Sequence, residues 1–192
     1  MVKKIKKTDV KEFKEAYQKV LFWFFSFPTR EIGLSDLSET VGIAKSTANK
    51  IVTTLVNEQF LNLEFIGRVW RISCKQDHIY NFSKKISYNL MMVYESGILQ
   101  EIHRRIPNLK AVILFGSYRK GDDTEKSDID IAVEVAGDQE IKIESLGILQ
   151  TFGYRKDVQV NLHIFSRNKI DINLFSNIAN GILLEGFLEV RP

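Results

Sequence analysis

The chain has 192 residues, 44% hydrophobic and 27% charged, which is typical of a globular protein with one domain or two small ones. Its single cysteine, Cys74, excludes an internal disulfide, and three scattered histidines argue against a structural zinc site. The basic N-terminus is followed by no apolar segment suited to a signal peptide or membrane anchor, which favours a cytoplasmic protein.

The net charge of +3 is unevenly distributed. Residues 1–75 carry 13 Lys and Arg against 8 Asp and Glu, whereas the remainder carries 14 against 16. The first part of the chain is therefore the better candidate for contact with a polyanion.

The first predicted element is a helix over residues 9–27, with Asp9 as its N-cap and Glu12 three residues later. The run LFWFF at 21–25 is more apolar than a one-sided helix needs. We expect this run to be core; the alternative is that its surplus face forms a dimer seam or packs on a second domain.

Two short helices are predicted next, joined at Gly42, where a tight turn requires a positive φ. Ser35 is the expected cap of the first, over 36–41, and the second spans 44–58. The predicted core positions of the second helix are Ala48, Ile51, Val52 and Leu55.

A β-hairpin follows, with strands at 60–65 and 69–72 and a turn at 66–68. Three helices and a hairpin are the element order of a winged helix. Residues 9–75 resemble the winged helix-turn-helix domains of archaeal and bacterial transcription regulators, which implies binding to double-stranded DNA.

The second of the two short helices would present short polar side chains and lysines to a major groove. These are Lys45, Ser46, Thr47, Asn49, Lys50 and Thr53, and on the hairpin Arg68 and Arg71 could contact a neighbouring phosphate. The alternative is a solvated polar face on a domain used for protein contacts.

Residues 78–106 predict a long helix, interrupted near Ser96-Gly97, that connects two domains. We expect His103 to be a surface residue and Cys74 to be structural. An apolar stripe along the connector could also form a dimer, and a symmetric DNA site would suit a homodimer.

The most informative stretch is 111–135. The apolar run 111–115 predicts a buried strand that ends at Gly116-Ser117, a turn suited to phosphate. In the following strand Asp128 and Asp130 alternate with isoleucines, so both carboxylates share a face. Paired carboxylates at this distance suit Mg²⁺.

This stretch resembles the signature of the polymerase-beta-type nucleotidyltransferases, in particular their small minimal branch. The matching residues are Gly116, Ser117, Arg119, Gly121, Ser127, Asp128 and Asp130. The resemblance implies catalytic and metal-binding roles for Asp128 and Asp130, with an NTP as ligand or substrate. It implies nucleotide or phosphate binding by Gly116, Ser117, Arg119 and Ser127.

After this stretch we predict a helix at 144–152, a strand at 157–165 and a helix at 171–180. The family takes a third carboxylate from the strand, completing a cradle for two Mg²⁺ ions. Here that position holds Asn161 or, two residues earlier, Gln159, with Asp157 nearby at the strand's mouth. A missing carboxylate would weaken the metal site and slow transfer.

These predictions combine into an α+β protein of two domains. A winged helix-turn-helix domain spans 1–76, a helical connector spans 77–106, and a nucleotidyltransferase-like domain with a mixed sheet spans 107–192. We expect a DNA-binding regulator whose second domain binds nucleotide and Mg²⁺ or a partner. The alternatives are an active transferase that moves NMP to a protein or nucleic-acid hydroxyl, or an antitoxin-like partner protein.

Overall fold

The computed structural model describes residues 7–67 and 69–190, with side chains described from residue 13 onward. The chain divides between Asn81 and Phe82 into two compact units, which we call the N-terminal unit and the C-terminal unit. Within the described residues, no helix combines the length and apolar character that crossing a membrane requires.

The N-terminal unit contains three helices followed by an antiparallel hairpin. They are α1 (Lys7–Ser26), α2 (Leu34–Val41), α3 (Lys45–Asn57), β1 (Leu61–Ile66) and β2 (Val69–Cys74). Ile32 adds an isolated antiparallel bridge to Ile72 of the hairpin. The element order is the one the sequence predicts.

Two predicted N-caps are wrong. The first helix already includes Lys7, so Asp9 lies inside it. The second begins at Leu34 with Gly33 as its N-cap, which places Ser35 in the first turn, where its carbonyl accepts a bond from Ser38 Oγ. By contrast, Gly42 adopts the predicted left-handed conformation, with φ of 66°.

The aromatic run in α1 is core, as expected. Phe24 and Phe25 are buried, and their rings pack edge-on against Phe60 with centroids 6.4 and 5.9 Å apart. Trp23 is also buried. The side of the run that could have formed a dimer seam is therefore largely used inside the protein.

The C-terminal unit is built around a five-stranded mixed sheet. Its elements are α4 (Lys84–Glu95), α5 (Ile98–Arg105), β3 (Leu109–Phe115), α6 (Gly116–Lys120), β4 (Ile129–Val135), β5 (Lys142–Phe152), β6 (Arg155–Phe165), α7 (Ile172–Ala179) and β7 (Ile182–Gly186). The strand order is β5-β6-β4-β3-β7, in which only β4 and β6 are parallel among the described pairs.

Both faces of the central strands are covered. Along β3, Val112 and Leu114 join one apolar cluster, whereas Ile113 and Phe115 join the other, which includes Ile178 of α7. A strand buried on both faces reads as a continuous apolar run rather than an alternating one, which explains the sequence at 111–115.

The single long helix predicted over 78–106 is two helices. Residues 76–83 lie in turns, α4 begins only at Lys84, and the predicted interruption at Ser96-Gly97 separates it from α5. Val93 and Ile102 are buried in the same cluster as the sheet. The two helices therefore form part of the C-terminal unit's core.

The helix predicted at 144–152 is a strand, β5. Leu146, Leu149 and Phe152 recur every three residues, but the register with β6 shifts between Ser145 and Gly147. Such a bulge inserts one extra residue at Leu146 and disturbs the alternation expected of a strand there. Gly147, with φ of 148°, is extended in a way a helix does not allow.

Candidate functional site

Strand alternation gathers the site on one face of the sheet. In the parallel pairing of β4 with β6, Asp130 lies directly opposite Asn161, and Ala132 lies opposite His163. Val160 and Leu162 point into the core on the other face. Asp128, just before β4, and Asp130 therefore meet Asn161 and not Gln159.

Asn161 bridges the two carboxylates. Its Nδ2 lies 3.3 Å from Asp128 Oδ2 and 3.2 Å from Asp130 Oδ1, and donates to both. Two carboxylates this close repel each other. The amide hydrogens reduce that repulsion, so a neutral side chain stands where a cation would otherwise be needed.

His163 adds a further group beside Asp130. Its Nε2 lies 3.5 Å from Asp130 Oδ1, and its ring packs edge-on against Phe115 with centroids 4.9 Å apart. Its Nδ1 is buried without a hydrogen-bond partner among the described residues. The strand pattern at 157–165 places His163 two residues after Asn161, a signal that our sequence prediction did not use.

Gly116 brings the turn after β3 against the same carboxylate. Its φ is 72°, and a Cβ added there would lie 2.9 Å from Asp130 Oδ2. Both the backbone conformation and the close approach require glycine. Ser117 and Arg119 follow in the short helix α6, where both are half-buried.

Ser127, which the resemblance implies in phosphate binding, also has a structural contact. Its Oγ accepts a bond from Thr124 N at 2.9 Å, so the hydroxyl closes the loop before β4. The structure thus brings Gly116 to the Asp pair, while the Ser127 hydroxyl is engaged within its own loop.

The donor set suits one hard cation better than two. No group of three or more His, Cys, Asp or Glu in the described part of the chain could hold a metal. Asp157 lies four residues before Asn161 on β6, which at about 3.3 Å per residue is ~13 Å along the strand. Two carboxylates fit one Mg²⁺, which typically takes one or two carboxylates plus phosphate oxygens.

Behind this site lies a buried polar network that sequence reasoning missed. Lys85 Nζ lies 3.2 Å from Asp123 Oδ2 and also donates to the Asp123 carbonyl. Asn89 Nδ2 donates to Asp123 Oδ1 at 2.7 Å and to the Tyr118 carbonyl at 3.1 Å. Arg155 donates to the Tyr118 hydroxyl and, at 2.8 Å, to the Ser127 carbonyl.

Burial governs the ionisation of this network. Desolvation raises the pKa of Asp123 above its usual value, and the Lys85 ammonium opposes that shift. Desolvation also raises the pKa of Tyr118, and the Arg155 guanidinium acts in the opposite direction. The Tyr118 hydroxyl is therefore neutral at physiological pH.

The polar residues of α3 form a solvent-exposed face in the N-terminal unit. Ala48, Ile51, Val52 and Leu55 are buried on the opposite side, as predicted. Thr47 is half-buried; the exposed members of the predicted DNA-contact set are Lys45, Ser46, Asn49, Lys50 and Thr53.

Arg71, one of the two hairpin arginines predicted to contact a phosphate, already has acidic partners. Arg71 is ion-paired with Glu31 and lies 3.8 Å from Glu64, so its charge is already compensated. Arg68 lies outside the described residues. The hairpin tip exposes Phe65, Ile66 and Val69 instead, each about 60% accessible.

Comparison with known proteins adds a family assignment for one part of the chain. Residues 98–186 match the family model described as Polymerase beta, Nucleotidyltransferase. Among curated proteins, no sequence match reaches significance.

One solved structure, the crystal structure of Pseudomonas aeruginosa HmgR, aligns over 68% of this chain with 14% identity and a TM-score of 0.31. The alignment spans half the length of that structure. The match to the family model includes α5, every strand of the mixed sheet and the Asp128–Asp130 pair. Residues 98–186 are a domain of the polymerase beta nucleotidyltransferase family.

Proposed function

We propose that this protein is a DNA-binding regulator whose nucleotidyltransferase-family domain binds a nucleotide together with Mg²⁺ and has weak or no transfer activity. The observation that carries the proposal is the bridge from Asn161 Nδ2 to both Asp128 and Asp130. It supports a site that keeps its phosphate turn and two carboxylates but lacks the third.

Nucleotide binding is supported by the two carboxylates and by the turn after β3. Asp128 and Asp130 offer oxygen ligands to Mg²⁺, which when bound would neutralise charge on the nucleotide phosphates. Gly116 allows the backbone to approach Asp130 closely, and Arg119 in α6 supplies a half-buried cation nearby in the chain. In the family these positions hold the triphosphate.

Weak or absent transfer activity is expected from the charge of the side chains that would bind metal. Transfer in this family relies on two metal ions to stabilise the attacking and leaving oxygens. Two carboxylates balance one divalent ion, and a neutral Asn161 amide neither balances a second nor accepts a proton from a hydroxyl. We therefore expect nucleotide binding without efficient transfer.

DNA binding is supported by the exposed face of α3. Lys45, Ser46, Asn49 and Lys50 are exposed on a helix whose opposite side is core, and such side chains reach phosphates and base edges. The compensated charge of Arg71 shifts the expected contacts toward α3 and away from the hairpin. Two copies would match a two-fold DNA site.

The nucleotide part is tested by incubating the protein with labelled ATP, CTP or GTP and Mg²⁺, measuring binding and transfer separately. We expect Mg²⁺-dependent binding that is lost in Asp128→Asn, with little transfer. Efficient transfer that Asp128→Asn abolishes would favour the working enzyme instead. No binding of any nucleotide would refute this part of the proposal.

The DNA part is tested with Lys50→Ala, using Lys110→Ala in the C-terminal unit as a control at an exposed lysine. If Lys50 contacts a phosphate, Lys50→Ala lowers duplex affinity and makes the negative slope of log affinity against log salt shallower by about one. The Lys110 variant should behave like the wild type. Equal affinities for all three proteins would contradict DNA recognition by α3.

A further inference from the structure

We propose that Arg155 is a positioning residue for the nucleotide site, fixing Asp128 relative to the phosphate turn through two hydrogen bonds from one buried guanidinium. The inference rests on the proposed nucleotide binding, and it assigns a role to a residue outside the family signature. Nucleotide affinity and hydrogen exchange, measured together, distinguish failure of nucleotide binding from failure of the role of Arg155.

The bonds of Arg155 join the two ends of one segment. One nitrogen donates to the hydroxyl of Tyr118, which lies in α6 directly after Gly116-Ser117. The other donates at 2.8 Å to the carbonyl of Ser127, the residue that precedes Asp128. The segment 121–127 lies between these contacts and contains no regular secondary structure.

A guanidinium suits this task because its donors are held in one rigid plane. Arg155 is 8% exposed and Tyr118 is 1% exposed, so water does not compete freely for these bonds. The backbone before Asp128 is thereby tied to α6. A shift of Asp128 would require breaking a buried charge-assisted bond.

The charge of Arg155 also bears on the site. The buried part of this network contains two cations, Lys85 and Arg155, and one acid, Asp123. The acid is engaged by Lys85 and Asn89, whereas the contacts of Arg155 described above are to a neutral hydroxyl and a carbonyl. Its positive charge therefore lies beside the peptide that leads into Asp128, where it favours an anionic site.

Lys85 and Asn89 hold the middle of the same segment. Both lie on α4 and bind Asp123, and Asn89 also binds the Tyr118 carbonyl. Lys85 and Asn89 thus hold the segment at Asp123, whereas Arg155 holds it at Ser127, the residue next to Asp128. Loss of Arg155 should free the Asp128 end while the Asp123 anchor remains.

The variants are Arg155→Met, which removes the charge and both donors, and Arg155→Lys, which keeps the charge but not the fork. Lys156→Met, at an exposed position next in sequence, is the matched control. Each is studied well below its melting temperature, with Mg²⁺-ATP affinity and amide hydrogen exchange measured on the same sample. If Arg155→Met does not fold, Arg155→Lys carries the comparison.

We expect both Arg155 variants to bind Mg²⁺-ATP at least about tenfold more weakly, since loss of a residue that orients metal-ligating side chains typically costs 10- to 100-fold in metal affinity. Amides at 121–130 should exchange faster, while those of β3 and β6 stay protected. A lower melting temperature with unchanged affinity and unchanged exchange at 121–130 would overturn the inference. If the wild type binds no nucleotide, the proposed function fails, and the exchange at 121–130 alone decides the role of Arg155.

Discussion

Asp123 and the Asp128–Asp130 pair lie within eight residues of one another, but their surroundings are opposite. Asp123 is 3% exposed and is held by the Lys85 ammonium. Asp130 is 30% exposed in its side chain, and both it and Asp128 are bridged by the neutral Asn161 amide. Asp123 is paired with a cation, Lys85. Asp128 and Asp130 are bridged by a neutral amide, that of Asn161.

The difference separates a structural acid from acids that are available to a ligand. A buried ion pair is locked, because breaking it leaves an uncompensated charge in a low-dielectric region. The Asp128–Asp130 pair carries two negative charges bridged by the amide hydrogens of Asn161, so a divalent cation gains more there. This contrast can be tested by changing the partner on each side.

The largest effect should come from Lys85→Met, which leaves Asp123 buried without its cation. Losing one partner of a buried ion pair costs about 3–5 kcal/mol of unfolding free energy. The double variant Lys85→Met/Asp123→Leu should recover part of that loss, because no unpaired charge remains. Urea unfolding followed by circular dichroism measures both. If Lys85→Met is as stable as the wild type, Asp123 is not held by a stabilising buried ion pair.

The next largest effect concerns the Asp128–Asp130 pair. Gly116→Ala forces a left-handed backbone on alanine and places its Cβ 2.9 Å from Asp130 Oδ2. Strain of this kind costs about 1–3 kcal/mol, and we expect Mg²⁺-dependent nucleotide binding to fall as Asp130 is displaced. Gly67→Ala, also at positive φ but with nothing within 4 Å of its Cβ, is the control for backbone strain alone. Equal nucleotide affinity in the two variants would show that the contact with Asp130 is not important.

Asn161→Asp replaces the neutral amide between Asp128 and Asp130 with a third negative charge. Without metal, the variant loses two hydrogen bonds and gains repulsion, so its unfolding free energy should fall by about 1–3 kcal/mol. Added Mg²⁺ should raise the melting temperature of the variant more than that of the wild type, because three carboxylates attract the ion more strongly. Calorimetric melting curves with and without Mg²⁺ provide the measurement. An identical Mg²⁺ response in both proteins would contradict the role given to Asn161.

Local patterns predicted much of this site. The apolar run before Gly116 predicts a buried strand, and the alternation at Asp128 and Asp130 places both carboxylates on one face. Each prediction uses only residues that are adjacent in sequence. The parallel register between β4 and β6 then places Asn161 opposite Asp130. For the same reason the buried side of α3 could be read from its helical spacing, and the positive φ of Gly42 from the turn it must make.

What could not be predicted depends on contacts between distant parts of the chain. Lys85 meets Asp123 across 38 residues, and Arg71 meets Glu31 across 40. No local pattern marks a lysine as buried or an arginine as already paired. The β5 error has a different origin, because Leu146, Leu149 and Phe152 recur at a three-residue spacing that is also typical of a helix, while pairing with β6 decides the structure.

The smallest effect concerns Glu101, a half-buried carboxylate of α5 that is ion-paired with two arginines. Hydrogen bonds from Arg104 and Arg105 lower the pKa of Glu101 to about 2. Its stabilisation is therefore present above its ordinary pKa of 4.5 and is lost as the pH falls toward 2.

Asp123 should behave in the opposite way. Burial raises its pKa above 3.8, so its contribution is fully present below pH 3.8 and declines as the pH rises through the folded value.

Melting temperatures of the wild type and Glu101→Gln should differ at pH 6 and converge toward pH 2. Glu95→Gln, at an exposed position of α4, serves as the control. A difference that grew on acidification would show that the two arginines do not hold Glu101 in its ionised form.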